Sequence, residues 1–433
     1  GLYRFPRGED LAYYKDNYER YDEDRKLNTQ NWHTFTEDFE QNPYWIQNRI
    51  QSKDARIRLL LSLSANLKVT DWLTLQARGN LDYSADKLRQ KFYASTATAL
   101  CGMNGRYIEM DYQETQMYGD VMAMVKKQLN DFTLDVAIGG SINDRITNST
   151  RIDSKNASLK YANVFNLANI VMSSSASIDQ KIDAHYQLQS VFATAQIGYK
   201  EGVFLDLTAR NDWSSTMSKA NRSYFYPSVS AGFVFSELIP KNDVLSFGKF
   251  RVSYANVGSD TAPYQLDFLY YPVSEVFGQF GCTNYFPFGG LLGYEATPTY
   301  PDPNLEPQNQ SSFEVGADLR FFNGRLRLDA TYYYQKTTKN IVRLDVANST
   351  GFFYMRKNAG VITNEGVEIL LGATPVQTRN FRWDIDVNFA SNKQLVKELD
   401  PSVKAYTLAS GYEGTQIKAV EGESFSLYGS YWL

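Results

Sequence analysis

The sequence predicts an all-β protein: an antiparallel transmembrane β-barrel, present in part, with short turns at one end of its strands and long loops at the other. Three observations predict it. Apolar and polar side chains alternate along a series of long segments. The connections between those segments are alternately short and long. Aromatic residues make up 15% of the 433 residues, with 31 Tyr and 26 Phe, and gather at both segment ends, where apolar matter meets water. The most regular segment is 311–336, SSFEVGADLRFFNGRLRLDATYYYQK. Phe313, Val315, Ala317, Leu319 and Phe321 alternate with Glu314, Gly316, Asp318 and Arg320; then Leu326, Leu328, Ala330, Tyr332 and Tyr334 alternate with Arg327, Asp329, Thr331 and Tyr333. Asn323-Gly324 suits the two positive φ angles of a two-residue type I′ turn. Each arm runs about a dozen residues, against the usual 5–6 of globular strands.

Composition agrees with a barrel and excludes other classes. Mean hydropathy is −0.42, and no run of roughly 18 uninterrupted apolar residues exists, so no transmembrane helix is expected. Alternating barrel strands average out as polar, so this leaves a barrel open. A net charge of −4 offers no basic footprint for nucleic acid. Cys101 and Cys282 lie far apart; a disulfide and two isolated thiols both remain open, and neither has metal-ligand neighbours. The first residues, GLYRFPRGED, carry no charged n-region and apolar h-region. An exported barrel needs such a signal, so the chain is expected to be a fragment.

Residues 1–50 are polar and aromatic and read as irregular lead-in with short strand or helix pieces, Asn42-Pro43-Tyr44-Trp45 being a turn-like or extended break. The regular series spans 56–392. Leu59, Leu61, Leu63, Ala65 and Leu67 share one face, and after a turn at 70–71 Leu73, Leu75, Ala77, Leu81 and Tyr83 return. Residues 114–129 form a strand, 130–131 turn it, and Phe132, Leu134, Val136 and Ile138 lead the next. Val191, Ala193, Ala195, Ile197 and Tyr199 precede a turn at 201–202; Val203, Leu205, Leu207 and Ala209 follow it. Val229, Ala231, Phe233 and Phe235 come next, then Phe250, Val252 and Tyr254 beyond a connection at 237–248. After the 311–336 hairpin, Val367, Ile369, Leu371 and Ala373, then Trp383, Ile385, Val387 and Phe389 across a turn at 376–380, close the series. Residues 393–433 read as further loop and strand.

Long connections are expected at 85–113, 147–181, 212–226, 258–310 and 338–363. Short turns on one side and long loops on the other is the asymmetry of outer-membrane barrels, with the turns periplasmic and the loops extracellular. Trp72, Phe132, Tyr199, Phe250, Phe321 and Phe381 lie beside the short turns, and Tyr83, Tyr226, Tyr254, Tyr332 and Tyr334 near the long loops, as two aromatic girdles would.

At this point the residues resemble a known family, the barrel of SusC/RagA-type TonB-dependent outer-membrane transporters. RNDWSSTMSKANRSYFYPSVSAGFVFSE (210–237) is similar to the family's R-x-D-x-S-S loop and P-S-x-S-x-G strand. PDPNLEPQNQSSFEVG resembles its N-P-x-L-x-x-E hairpin region, and NAGVITNEGVEILLGATPV (358–376) its N-x-G-x-x-x-N-x-G-x-E-x-x-L strand. The resemblance covers roughly residues 45–433. It implies about 12 strands of an expected 22-stranded barrel, with no plug domain or TonB-contacting box in this sequence. It further implies residence in the outer membrane among its lipids and active import of oligosaccharides or peptides. The implied partners are a SusD-like surface lipoprotein and the TonB complex, the latter reached through a missing N-terminal part. The alternative is a soluble or surface glycan-binding or adhesive β-protein without transport.

No catalytic chemistry stands out and no cofactor is expected. His33 and His185 are far apart and read as surface or lumen residues. Ser214-Ser215 lacks a G-x-S-x-G context, and Asp384 and Asp386, on one strand face, read as solvated lumen charge. Candidate substrate contacts are Arg210, Asp212 and Trp213 at one strand mouth and Tyr264, Tyr270, Tyr271 and Phe286 in the largest loop. Aromatic faces can stack on sugars or peptide side chains while Arg and Asp fix orientation.

Overall fold

A computed structural model describes residues 5–34, 40–155, 159–171, 177–240, 243–273, 275–276, 284–411 and 414–429. The chain divides into two compact units, one of Gly1–Ser62, Asn80–Met117 and Arg145–His185, the other of Leu63–Gly79, Tyr118–Asp144 and Tyr186–Leu433.

The lead-in holds helix α1 (Leu11–Asp16), the hairpin β1 (Glu19–Asp22) and β2 (Leu27–Gln30), and helix α2 (Pro43–Arg49). The stretch expected as a turn-like or extended break therefore caps and starts a helix. Asn42 is its N-cap, accepting from the Tyr44 amide at 2.8 Å, and Pro43 sits in the first turn, where its missing N–H leaves no bond unmade. Trp45 is fully buried and its Nε1 donates to Thr96 Oγ1 at 3.0 Å. His33, expected at a surface or in the lumen, has a side chain only 5% exposed. Its ring packs on Phe5 and Trp32, and its Nε2 lies 3.6 Å from Glu40. Tyr107, Leu159 and Ile170 make a small core in the same unit.

The strands continue in chain order as β3 (Ile50–Lys68), β4 (Leu73–Phe92), β5 (Arg106–Leu129), β6 (Phe132–Asp153), β7 (Ser177–Tyr199), β8 (Val203–Ser214), β9 (Ser223–Phe233) and β10 (Leu245–Ser259). The loop after β10 carries β11 (Tyr270–Val273), β12 (Glu275–Val276), β13 (Asn284–Tyr285), β14 (Gly293–Ala296) and β15 (Thr299–Tyr300). Then come β16 (Gln308–Phe321), β17 (Leu326–Thr338), the loop strands β18 (Ile341–Asp345) and β19 (Tyr354–Asn358), β20 (Val361–Gln377) and β21 (Arg382–Glu398). A three-stranded sheet of β22 (Ala405–Ser410), β23 (Gln416–Val420) and β24 (Ser426–Tyr428) follows.

Twelve of these form one sheet in the order β21-β20-β17-β16-β10-β9-β8-β7-β6-β5-β4-β3, the twelve that periodicity predicts. Several are longer than expected: β5 begins at Arg106 rather than near 114, and β6 runs on to Asp153. Beyond an apolar band both faces of a strand meet water, so alternation fades while the backbone ladder continues. The turn at 130–131 falls as expected, with Asn130 at φ 52°. The turn at 323–324 is wider than the expected two residues. The ladder closes at Phe321–Leu326, and Phe322, Asn323 and Gly324 all take positive φ (52°, 56° and 83°). Phe322 is drawn into the turn because its amide donates to the Val244 carbonyl at 2.8 Å.

Cross-strand pairs share a face. On β16–β17, Phe313 faces Tyr334, Val315 faces Tyr332 and Leu319 faces Leu328; on the opposite face Glu314 meets Tyr333 and Asp318 meets Asp329. The apolar faces are open: Leu63 is 79% exposed and Val121 63%. In a soluble sandwich these side chains would be core. Their exposure in long strands makes them a surface for lipid. The polar face is laced with ion pairs, among them Arg58–Asp82 (2.6 Å) and Arg78–Asp120 (3.0 Å). Asp384 accepts from Arg382 and Thr374, and Asp386 from Arg327, so each is held by its own arginine. Among the described residues no helix is long and apolar enough to cross a membrane.

Candidate functional site

The sequence-predicted contacts fall into two places within one unit. The first is the upper polar face of β7, β8 and β9, where strand pairing sets Ser190 opposite Asp212 and Phe192 opposite Arg210, then Asp212 opposite Tyr224 and Arg210 opposite Tyr226. Arg210 Nε donates to Asp212 Oδ1 at 2.7 Å and its Nη2 to Ser190 Oγ at 2.6 Å. Tyr226 Oη donates to Asp212 Oδ2 at 2.5 Å. Asp212 is buried, and both of its oxygens are occupied. The guanidinium of Arg210 also lies over the Phe192 ring at 5.8 Å. Next along the strand, Ser214 Oγ donates to Asp260, at the start of the longest loop, and shares a bond with Thr216. A Cβ at Gly258 would stand 2.8 Å from the Tyr226 ring and 2.9 Å from Tyr224, so only glycine leaves room for these rings. The R-x-D-x-S-S segment thus closes a saturated polar network that ties a loop to its strand mouth.

Trp213 is not part of it. One residue on from Asp212, it points to the apolar face with Leu205 and Leu207. Tyr226, expected in the outer girdle, is on the polar face, and Phe225, 59% exposed, takes the apolar-face place. Both differences follow from the period of two.

The second place is the loop after β10. β11 pairs with β14, setting Tyr270 opposite Ala296 and Tyr271 opposite Glu295. Tyr264, Tyr270 and Tyr271 are exposed, at 53%, 64% and 50%. Adjacent in a strand, Tyr270 and Tyr271 face opposite ways, so they cannot clasp one ring together. Phe286 packs on the backbone of Gly293, where a Cβ would stand 2.6 Å from its ring. It supports the loop. The structure adds aromatics that the sequence reading did not single out. Phe268 packs edge-on against Tyr270 (5.2 Å) and Phe352 (6.0 Å), and Tyr300 against Phe352 (5.3 Å). Only their richness in Tyr and Phe marked these segments, because their contacts join different loops.

Among the described residues no group of three His, Cys, Asp or Glu is placed to hold a metal. Cys101 is a free, buried thiol that burial pushes up to about 11; Cys282 lies outside the described residues.

A long-stranded sheet with an exposed apolar face, a charged face, short turns and structured loops defines an outer-membrane β-barrel segment. The family model "TonB dependent receptor-like, beta-barrel" matches residues 2–433, and the chain belongs to that family. It is an outer-membrane protein. It is 30% identical over 217 residues to the TonB-dependent receptor P26 of Formosa agariphila, covering 49% of this chain and 21% of that one. It is 27% identical over 215 residues to the TonB-dependent receptor SusC of Bacteroides thetaiotaomicron, with the same coverage. The fold is similar to the RagAB peptide transporter structure, with a TM-score of 0.72 at 22% identity over 89% of this chain and 41% of that one. The matched part of the chain spans about a fifth of the length of those curated relatives.

Proposed function

We propose that the chain is the barrel portion of a TonB-dependent importer of oligosaccharides or peptides, with a SusD-like surface lipoprotein as partner and the TonB complex as energy source. The observation that carries this reading is the match to the receptor barrel family along residues 2–433, supported by the similarity to SusC and the likeness of fold to a peptide transporter. The polar strand face supplies a hydrated wall for a passing solute, and the loop aromatics supply contact surface at its mouth. Tyr264, Tyr270 and Tyr271 are the substrate contacts in this reading. Arg210 and Asp212 hold the mouth in shape, Phe286 supports the loop, and Trp213 anchors the barrel at the lipid boundary.

The test is uptake of labelled oligosaccharides and peptides by cells carrying the full-length receptor, compared with cells lacking it and with cells treated with a protonophore. Receptor-dependent accumulation that the protonophore abolishes is expected. Tyr270→Ala should lower uptake several-fold, since one aromatic contact is worth about 0.5–1.5 kcal/mol beyond its buried area. Surface binding with no accumulation would replace transport by the adhesive alternative.

A further inference from the structure

We propose that the polar face of β17, β20 and β21 carries a binding site for neutral oligosaccharides, formed by Tyr333, Gln335, Asn364, Asn392 and Gln394. This rests on the import reading above and narrows its substrate class to uncharged, hydroxyl-rich sugars. The site lies on the strand wall, toward the long-loop ends, rather than in the loops themselves.

Strand pairing assembles it. Gln335 is the direct partner of Asn364, and Asn364 of Gln394, so their amides form one row across the sheet. In the next row Tyr333 faces Gly366 and Gly366 faces Asn392. Direct partners share a face, and the step of two keeps both rows on the side of Asp329. Gly366 leaves room for the tyrosine ring. A Cβ there would stand 2.5 Å from the Tyr333 Oη and 2.6 Å from its Cζ, so the side chain lies across β20, along the sheet toward Asn392.

Elsewhere on this face polar groups are spent on one another: Arg251 donates to Asp329 and Thr331, and Arg327 to Asp386. In these two rows they are not. Among the described residues the side chains of Tyr333, Gln335, Asn364, Asn392 and Gln394 form no hydrogen bond, and Asn364 Oδ1 is buried without a donor. A buried acceptor left without a donor is costly, so a ligand hydroxyl that donates to it removes that cost.

An amide offers a donor and an acceptor side by side, which suits a pair of sugar hydroxyls. The tyrosine adds an apolar ring for the C–H side of a pyranose and a hydroxyl at its tip. Charge then sets the class. Glu314, opposite Tyr333, and Glu368, opposite Thr331 in the row below, form no ion pair among the described residues. No Arg or Lys stands in these rows of β16, β17, β20 and β21, and the guanidinium that reaches them, that of Arg251, is held by Asp329 and Thr331. A uronate, a sulfate ester or a peptide C-terminus would meet two carboxylates and no free cation. A sugar hydroxyl can donate to either carboxylate.

The experiment measures binding to the full-length receptor purified in detergent. The neutral probes are maltohexaose, cellohexaose, mannohexaose and xylohexaose; the charged ones are hexagalacturonate and the basic peptide Gly-Lys-Gly-Lys-Gly. A neutral hexaose is expected to bind about tenfold or more tightly than either charged probe. Tyr333→Ala should weaken that binding about threefold to tenfold, and Asn364→Ala about fivefold. Tyr333→Phe, which keeps the ring, should retain most of the affinity. None of the three should change heat-modifiable migration on gels, because these side chains bond to nothing in the fold. Binding of no neutral hexaose, a charged probe bound as tightly, or affinity unchanged in both alanine variants would each overturn the proposal. Because binding is read on purified protein, sugar binding that depends on Tyr333 without uptake by cells would count against the import reading alone.

Discussion

Arg251 on β10 reaches Asp329 on β17, two strands away, by passing over Gly316 of the intervening β16, and its Nη2 closes on the carboxylate at 2.6 Å. A Cβ at Gly316 would stand 2.7 Å from the arginine Nε. The arrangement recurs two strands along the sheet, where Arg327 on β17 passes Gly372 on β20 to reach Asp386 on β21 at 2.9 Å. Glycines that look like gaps in the polar alternation are crossings for long side chains.

Gly316→Ala should therefore destabilise the barrel by about 1–3 kcal/mol, the usual cost of overpacking, read as a fall in the urea unfolding midpoint in detergent. Arg251→Gln alone should cost less, about 0–1 kcal/mol, because this pair is well exposed. In the double variant the two costs should not add. The shorter, uncharged glutamine can swing clear of the new methyl, which leaves the Ala330 carbonyl, at 3.0 Å, as its nearest backbone neighbour. Strict additivity would show that the crossing is incidental.

The two faces predict opposite responses to charge. Leu205→Arg and Leu328→Arg should each impair membrane assembly, by about 2–4 kcal/mol near the bilayer midplane. Thr208→Arg should be tolerated, its hydroxyl meeting only Ser228 on the polar face. Thr331→Arg is a less neutral control than the sequence suggests, because Arg251 already donates to that hydroxyl at 2.6 Å. Heat-modifiable migration on gels reports assembly; equal assembly of the Leu205 and Thr208 variants would invert the faces.

Asp212→Ala strands Arg210 and the Tyr226 hydroxyl together. A loss of about 2–3 kcal/mol is expected, with faster proteolysis of the loop that begins at Asp260. Trp213→Ala, one residue away on the other face, should leave loop proteolysis unchanged.

Asp400, in the loop after β21, is held down from 3.8 to about 2, first by Lys357 and then by Ser402. Its folded pKa is depressed, so its stabilisation is complete above about pH 4 and is lost as the pH falls through about 2. Hydrogen exchange of the β22–β24 amides should accelerate over that window. In Asp400→Asn, which is uncharged throughout, exchange should already be faster at neutral pH and should not steepen there.

By itself the sequence determined the strands, their faces and the alternation of short and long connections. A period of two and a turn dipeptide are local properties that survive in any strand whose two sides meet different solvents. It also carried the R-x-D-x-S-S motif and the aromatic richness of the longest loop. Tertiary structure alone decided where polar strands stop, since hydrogen bonding runs past the apolar band into residues such as Arg106 and Asp153 that no longer alternate. It decided that Asn42 caps a helix. It decided too that Trp213 and Tyr226 exchange the roles their chemistry suggests. Most of all it brought Arg343 opposite Arg356, and the Tyr406 hydroxyl to the Arg343 amide. Residues from separate loop strands meet only through registers that no periodicity encodes.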